Sequence, residues 1–411
     1  MPQGLVYKDF MDYKTILHDI FVAYYDARKH KRGSVSQIDF EIDYERKLLA
    51  LAKELADGTY KISPSICFIS FKPLKREIFA ADFRDRIVHH LIYNYINPFF
   101  ENSFINDSYS CRVGKGTSYG IRRLDHFIRS CSSNYSKDTY VLKLDIKGYF
   151  MSINKHILYL KIRNKLSSHK IFSGRNSINR SEIIDMTWLL LLIHQVIFHD
   201  PTKDCIIKGK KENWNDLPKS KSLFGAKPDT GLPIGNLTSQ LFGNIYLDDF
   251  DHFVKYGLRC KYYGRYVDDI VIIYSDLNYL KLVIQNITNY LLCELFLEIH
   301  PKKIYLQNIK SGVSFLGAYI KPYRIYVRNR IKGNFYKKIQ TFNMFLHDRP
   351  SNIIDKDVVK IVATTNSYLG MLKQYDTYKL RKKIVIECTS PNFREYIRID
   401  ENFDIVSKKL E

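Results

Sequence analysis

The stretch that most constrains this chain runs from Lys261 to Tyr274 and reads Lys-Tyr-Tyr-Gly-Arg-Tyr-Val-Asp-Asp-Ile-Val-Ile-Ile-Tyr. Aromatic, β-branched and apolar residues flank Asp268 and Asp269 on both sides. That pattern predicts two strands joined by a tight turn, with the acids at its tip. Adjacent carboxylates repel each other, so a buried hairpin seldom places a pair there without compensation. A divalent cation supplies it. Hard oxygen ligands on neighbouring residues suit Mg²⁺, which keeps further positions for waters and substrate phosphates. An exposed Asp-Asp turn with no ion is the plainer alternative.

A second acidic centre lies in Tyr140-Val-Leu-Lys-Leu-Asp-Ile-Lys-Gly-Tyr-Phe150. Val141, Leu142 and Leu144 predict a strand that delivers Asp145 to its end, with a turn at Gly148 and a helix near Asn154. A strand-end carboxylate facing a hairpin tip with two more is the layout of a two-metal phosphoryl-transfer site, its metals ~3.5–4 Å apart. Taken alone, Asp145 reads equally well as a helix cap or turn residue.

Charge narrows the choice of partner. The 411 residues hold 64 Lys and Arg against 43 Asp and Glu, a net charge of +21. Such an excess favours a polyanion, and nucleic acid is the usual one. From 301 to 350 there are eleven Lys and Arg against the single acid Asp348. The seven cysteines are scattered with no CxxC or Cys/His cluster, which argues against a zinc site or disulfide framework and fits a reducing cytoplasm. The N-terminus lacks a signal-peptide core, and the apolar run 188–198 is too short to span a bilayer, so no membrane partner is expected.

The remaining segments read in order. Residues 8–56 predict helices with stripes at Phe10, Ile16, Ile20, Ala23 and Tyr24, then at Leu48, Leu49, Leu51, Ala52 and Leu55, around a basic loop at 28–33. Residues 60–71 read as strand broken at Pro64. A basic hairpin over 72–80 precedes a helix with Asp82 as its cap. That hairpin, beside a helix start carrying Arg84 and Arg86, suits a triphosphate. Residues 119–129 and 181–198 read as helices, and the Lys-rich stretch about 199–230 as a surface insertion. Gly231, Pro233 and Gly235 make an irregular loop that enters a helix at Thr238, and glycine lets backbone approach a flat ligand closely. Residues 277–295 predict an amphipathic helix, 312–320 a hairpin arm, and 355–383 further helix.

These pieces together resemble bacterial reverse transcriptases, over roughly residues 45 to 385. Leu144-Asp-Ile-Lys-Gly-Tyr-Phe150 resembles the first acidic motif of the palm and Tyr266-Val-Asp-Asp269 the second. Phe315-Leu-Gly317 resembles the primer-grip hairpin, and Asp82-Phe-Arg-Asp-Arg-Ile-Val88 a fingers motif. The nearest resemblance is to enzymes of diversity-generating retroelements and related antiviral-defence enzymes. Its marker is Ile234-Gly-Asn-Leu-Thr-Ser-Gln240, where other members usually have Gln before the Gly and Pro after the Ser.

The resemblance implies an α/β (α+β) right-hand polymerase fold: fingers, a palm of antiparallel sheet with helices, and a helical thumb. Expected boundaries are an N-terminal helical region at 1–60, fingers at 61–139, palm at 140–320, thumb at 321–385 and a C-terminal segment at 386–411. It implies a cytoplasmic RNA-directed DNA polymerase. Asp145, Asp268 and Asp269, with the main chain at Ile146, would hold two Mg²⁺ ions, and Mn²⁺ would substitute. Lys75, Arg76 and Arg86 would face the triphosphate of the dNTP. Phe150 would pack under its sugar and exclude a 2′-OH. Ile234, Gly235 and Gln240 would touch the nascent base pair. Lys332, Lys337 and Lys338 would grip the template–primer duplex. Implied partners are an RNA template, in this group a dedicated non-coding RNA, its cDNA product, and an accessory protein or second copy. The competing reading is a non-catalytic nucleic-acid-binding scaffold descended from such an enzyme.

Overall fold

The structure is a computed structural model that describes residues 12–29, 33–71, 74–167, 171, 183–348 and 355–409. Phe10, the middle of the basic loop at 30–32 and the start of the basic hairpin at 72–73 lie outside these residues. The chain divides into two compact units, residues 1–116, 142–272 and 278–305 in the first and 117–141, 273–277 and 306–411 in the second.

The first unit opens on helices α1 (Tyr13–Arg28), α2 (Val35–Glu41) and α3 (Tyr44–Ala56). The Asp12 and Ser34 side chains cap the first two by accepting from backbone N–H groups, which satisfies donors that a helix start leaves orphaned. The described residues of the expected stripes are buried except Leu49, which faces solvent.

The extended segment after Tyr60 becomes strand only over β1 (Ile66–Ser70). Pro64 has no N–H to give a ladder. The preceding backbone is satisfied by side chains instead: Gln195 Nε2 donates to Tyr60 O at 2.9 Å, and Ser63 N donates to Asp85 at 2.9 Å. Strand β2 (Arg76–Ala80) pairs antiparallel with β1, Ile66 opposite Ala80. Asp82 caps α4 (Phe83–Ser103), as expected.

Helix α5 (Thr117–Cys131) belongs to the second unit; the chain continues with β3 (Tyr140–Asp145), α6 (Tyr149–Ser152), α7 (Lys155–Leu166), α8 (Met186–Phe198) and β4 (Ile206–Ile207). The last is a short strand within the stretch read as a surface insertion. Residues 199–230 are largely exposed, yet β4 joins β1 in parallel and makes the order β2-β1-β4. Helices α9 (Leu237–Tyr246) and α10 (Asp248–His252) lead to β5 (Tyr262–Tyr266), β6 (Asp269–Tyr274), α11 (Leu277–Leu295) and β7 (Tyr305–Asn308). A four-stranded sheet with the order β5-β6-β3-β7 carries both acidic motifs.

The second unit contains the sheet of β8 (Val313–Phe315), β9 (Ala318–Lys321) and β10 (Arg324–Val327). Helices α12 (Asn329–Asp348), α13 (Asp355–Lys373), α14 (Tyr378–Lys382) and α15 (Pro391–Tyr396) follow, then the ribbon of β11 (Ile397–Ile399) and β12 (Val406–Lys408). Phe335, Ile339 and Leu346 of α12 pack with Ile361, Leu369 and Leu372 of α13, and with Phe393. The whole is the mixed helix-and-sheet class expected. No described helix is long and apolar enough to cross a membrane.

Helices α4 and α9 pack together around a buried polar contact, His89 Nδ1 to Thr238 Oγ1 at 2.8 Å. Burial, followed by neighbouring positive groups, lowers the His89 pKa to about 3. The folded state therefore refuses a proton that the unfolded chain accepts below about pH 6.5. Stability from this site is full above pH 6.5 and falls as pH drops toward 3. Urea midpoints at about pH 7.5 and about pH 5 should fall more for the parent than for His89→Gln. Equal losses would mean that His89 titrates normally in the fold.

Candidate active site

Strands β5 and β6 form the hairpin expected from the sequence, and its geometry rests on Arg265. This side chain is fully buried. Its Nε donates to Asp251 Oδ1 at 2.7 Å and its Nη2 to Asp251 Oδ2 at 2.6 Å, a bidentate pair. Burial opposes the guanidinium charge, and the Asp251 carboxylate outweighs it, so the pKa is raised and Arg265 stays ionised. Its Nη1 donates to Val267 O at 2.9 Å. Val267 has φ +58°, a left-handed conformation that costs a β-branched residue about 1–3 kcal/mol. The guanidinium thus holds the turn that presents Asp268 and Asp269. On the other side, Ile146 N donates to Asp268 O at 3.2 Å, which joins the end of β3 to the hairpin tip.

The three carboxylates feel one another. Burial, then the Asp145 charge, pushes Asp268 up to about 6. Asp269 is raised for the same first reason, with Lys143 opposing the shift and Asp145 adding to it. Two lysines offset the acids: Lys303 Nζ lies 2.7 Å from Asp145 Oδ2 and Lys143 Nζ 3.8 Å from Asp269 Oδ1. Among the described residues no three acidic, histidine or cysteine groups are gathered tightly enough to cage a cation. The donor set still fits Mg²⁺, because mutually repelling hard oxygens seek positive charge. Mg²⁺ also takes only one or two carboxylates and keeps waters and phosphates for the rest of its shell.

The expected nucleotide-facing residues separate into two groups. Phe150 and Ile234 come together, packed against one small cluster of Cys67, Phe79, Met151 and Leu223. Leu232 N donates to Phe150 O at 2.8 Å, and Phe79 N to Ile234 O at 2.8 Å. Gly235 adopts φ +135°, and a Cβ there would meet Phe79 O at 2.8 Å. Gln240 is exposed on α9, and Arg76 is exposed at the start of β2. Lys75 and Arg86 instead make contacts within the fold. Lys75 Nζ donates to Asn215 O, and Arg86 Nε donates to Ala81 O at 3.0 Å. Arg84 is held by Glu54 and by Lys61 O.

In the second unit, Lys337 is exposed on α12, and Lys338 lies over the Phe342 ring at 5.5 Å. Lys332 lines a cavity of about 690 Å³ with Tyr319, Lys321, Tyr326, Arg328 and Arg330.

Arg265, Asp251, Lys143 and Lys303 were not singled out by sequence reasoning. The available signal was an arginine inside an aromatic strand, three residues before Asp268. Asp251→Ala leaves Arg265 buried and uncompensated, so unfolding stability should drop by about 3–5 kcal/mol in urea titration. A loss below about 1 kcal/mol would mean that the pair contributes no more than an exposed one.

Residues 72–320 match the model of the family described as reverse transcriptase (RNA-dependent DNA polymerase). Protein YkfC of Escherichia coli (strain K12) is 22% identical over 210 residues, 51% of this chain and 45% of that protein. The chain thus matches less than half the length of this curated relative. Among solved structures it is similar to apo telomerase from Candida tropicalis truncated from its C-terminal domain. That match has 15% identity and a TM-score of 0.46, covering 65% of this chain and 56% of that one. It is also similar to apo telomerase from Candida tropicalis, at 13% identity and a TM-score of 0.44, covering 93% and 81%. With residues 72–320, more than half of this chain and both acidic motifs, matched to the family model, the chain belongs to the reverse transcriptase (RNA-dependent DNA polymerase) family.

Proposed function

We propose that the chain copies RNA into DNA by nucleotidyl transfer at Asp145, Asp268 and Asp269. The observation that carries this reading is the junction of β3 with the β5–β6 hairpin, where three mutually repelling carboxylates sit within the span matched to the family. Asp145, Asp268, Asp269 and the Ile146 carbonyl would hold two Mg²⁺ ions, with Mn²⁺ as a substitute. When bound, the ions neutralise developing charge on the attacking and leaving oxygens. Lys143 and Lys303 partly offset the repulsion among the acids. Arg76, exposed on β2, remains available to a triphosphate. Phe150 bears on the sugar of the dNTP, and the Ile234–Gly235 turn on the nascent pair.

The template strand would be RNA and the product cDNA. Lys332 and its cavity neighbours, together with Lys337 and Lys338, suit the wide, shallow minor groove of an A-like hybrid. The Ile234-to-Gln240 stretch supports a bacterial retroelement or antiviral-defence setting with a dedicated non-coding RNA. Sequencing the RNA that copurifies with the protein tests that setting; random cellular RNA would remove it. We place the enzyme in the cytoplasm.

Asp268→Asn should abolish dNTP incorporation on a primed RNA template and leave RNA affinity nearly intact, because affinity rests on phosphate contacts elsewhere. Continued synthesis by this variant would leave the scaffold reading as the better one for these acids. Phe150→Ala should raise ribonucleotide incorporation relative to deoxyribonucleotide, since a steric clash enforces that choice. An unchanged ratio would make Phe150 a packing residue only.

A further inference from the structure

The segment between α8 and the Gly231 loop makes contacts that a solvated insertion would not need. Glu77 of β2 is 1% exposed. Its carboxylate accepts from Trp214 Nε1 at 2.8 Å, from Ser222 Oγ at 2.8 Å and from Leu223 N at 2.6 Å. All three donors belong to the insertion. A buried carboxylate is costly unless its lone pairs are satisfied, so this arrangement has a specific geometry to keep.

What the segment then touches is the nucleotide-facing part of the proposed site. A short turn at Lys219–Lys221 packs on α6. A Cβ on Gly148, at the head of α6, would meet Ser220 O at 2.6 Å, and one on Gly231 would meet the Leu223 side chain at 2.7 Å. Both glycines have positive φ. Leu223, Trp214 and Ala226 share one cluster with Phe150 and Ile234, and the Phe224 ring lies 5.5 Å from Phe79. The insertion is therefore in van der Waals contact with both motifs that flank it in sequence.

We propose that Glu77 is a positioning residue. It clamps residues 208–226 onto β2, and the clamped segment backs α6 and the Gly231 loop, setting where Phe150 and Ile234 stand against the incoming nucleotide. The clamp thereby acts on nucleotide selection, and this inference rests on the reading of the site as a reverse transcriptase centre. Trp214→Phe keeps a ring and removes one donor; Ser222→Ala removes another. Each should raise the dNTP KM about tenfold, leave kcat within about twofold, and lower the preference for dNTP over rNTP several-fold. The full-length Glu77→Gln variant should show the same split more strongly if it folds. Unchanged KM and sugar preference in both single variants, with only a lower Tm, would make the clamp a folding element and overturn the proposal.

Hydrogen exchange supplies a readout besides activity. The Met151 and Ser152 amides, bonded to Gly148 O at 2.9 and 3.1 Å, should exchange about tenfold faster in Trp214→Phe and Ser222→Ala. An inactive parent enzyme would overturn the function proposed above and the selectivity claim with it. Unchanged exchange at those two amides would overturn the clamp itself, whatever the activity.

Discussion

The first unit depends on a buried ion pair. Arg265 and Asp251 are both fully buried and meet in a two-bond fork. An isolated charge in that place would be prohibitive, and a fork allows only one relative orientation of the two groups. The remaining guanidinium nitrogen reaches the carbonyl of Val267, the residue that turns the hairpin. Main-chain bonds from Arg265 to Asp107 and Tyr109 add a parallel edge contact beside β5. Gly264 suits the adjacent position, since a Cβ there would clash with the ring and hydroxyl of Tyr109, which is fully buried. One polar contact thus orients the strand, sets the turn and aims the acids.

The acids have their own electrostatic problem, and the fold only partly solves it. Lys143 lies two residues before Asp145 on β3 and faces Asp269; Lys303 reaches Asp145. Asp268 has neither lysine as an ion-pair partner among the described contacts, and it is the carboxylate raised to about 6. Asp268, the residue held in place by the Arg265-supported turn, thus has the least direct compensation of the three, with Lys303 acting on it only at a distance.

Much of this was legible before any coordinates. The acidic hairpin, the strand ending at Asp145, the Asp82 cap and the span of α11 follow from local pattern alone: alternating or helical periodicity, turn residues and cap chemistry. What escaped was non-local. The strand expected from Tyr60 shrank because its backbone found Gln195 and Asp85, residues remote in sequence. The contact of Lys75 with Asn215 O, remote in sequence, is likewise invisible before folding. Arg265 looked like one more cation in a basic chain, and its partner Asp251 like one of several acids near α10. The Lys-rich stretch 199–230 is largely exposed. Composition cannot reveal that Trp214 and Ser222 are aimed at a buried Glu77.

Two buried carboxylates, Asp251 and Glu77, support the proposed site in different ways, and the difference follows from their partners. Asp251 is neutralised by a guanidinium, so its contact is strong, directional and suited to an element that must not move. Glu77 is satisfied by an indole, a hydroxyl and an amide, all from a segment whose one buried side chain between 208 and 226 is Leu223. So little apolar burial offsets few of the ordering costs of such a stretch, roughly 1–2 kcal/mol per residue. The hydrogen bonds to Glu77 must therefore carry a larger share of its attachment than they would in a well-packed loop. A change in any one donor should then be felt at α6 and the Gly231 loop rather than at the acids, which are held by a separate contact. On the proposed reading, the rigid pair serves the acids, and the neutral-donor clamp serves the surface that would distinguish one nucleotide from another.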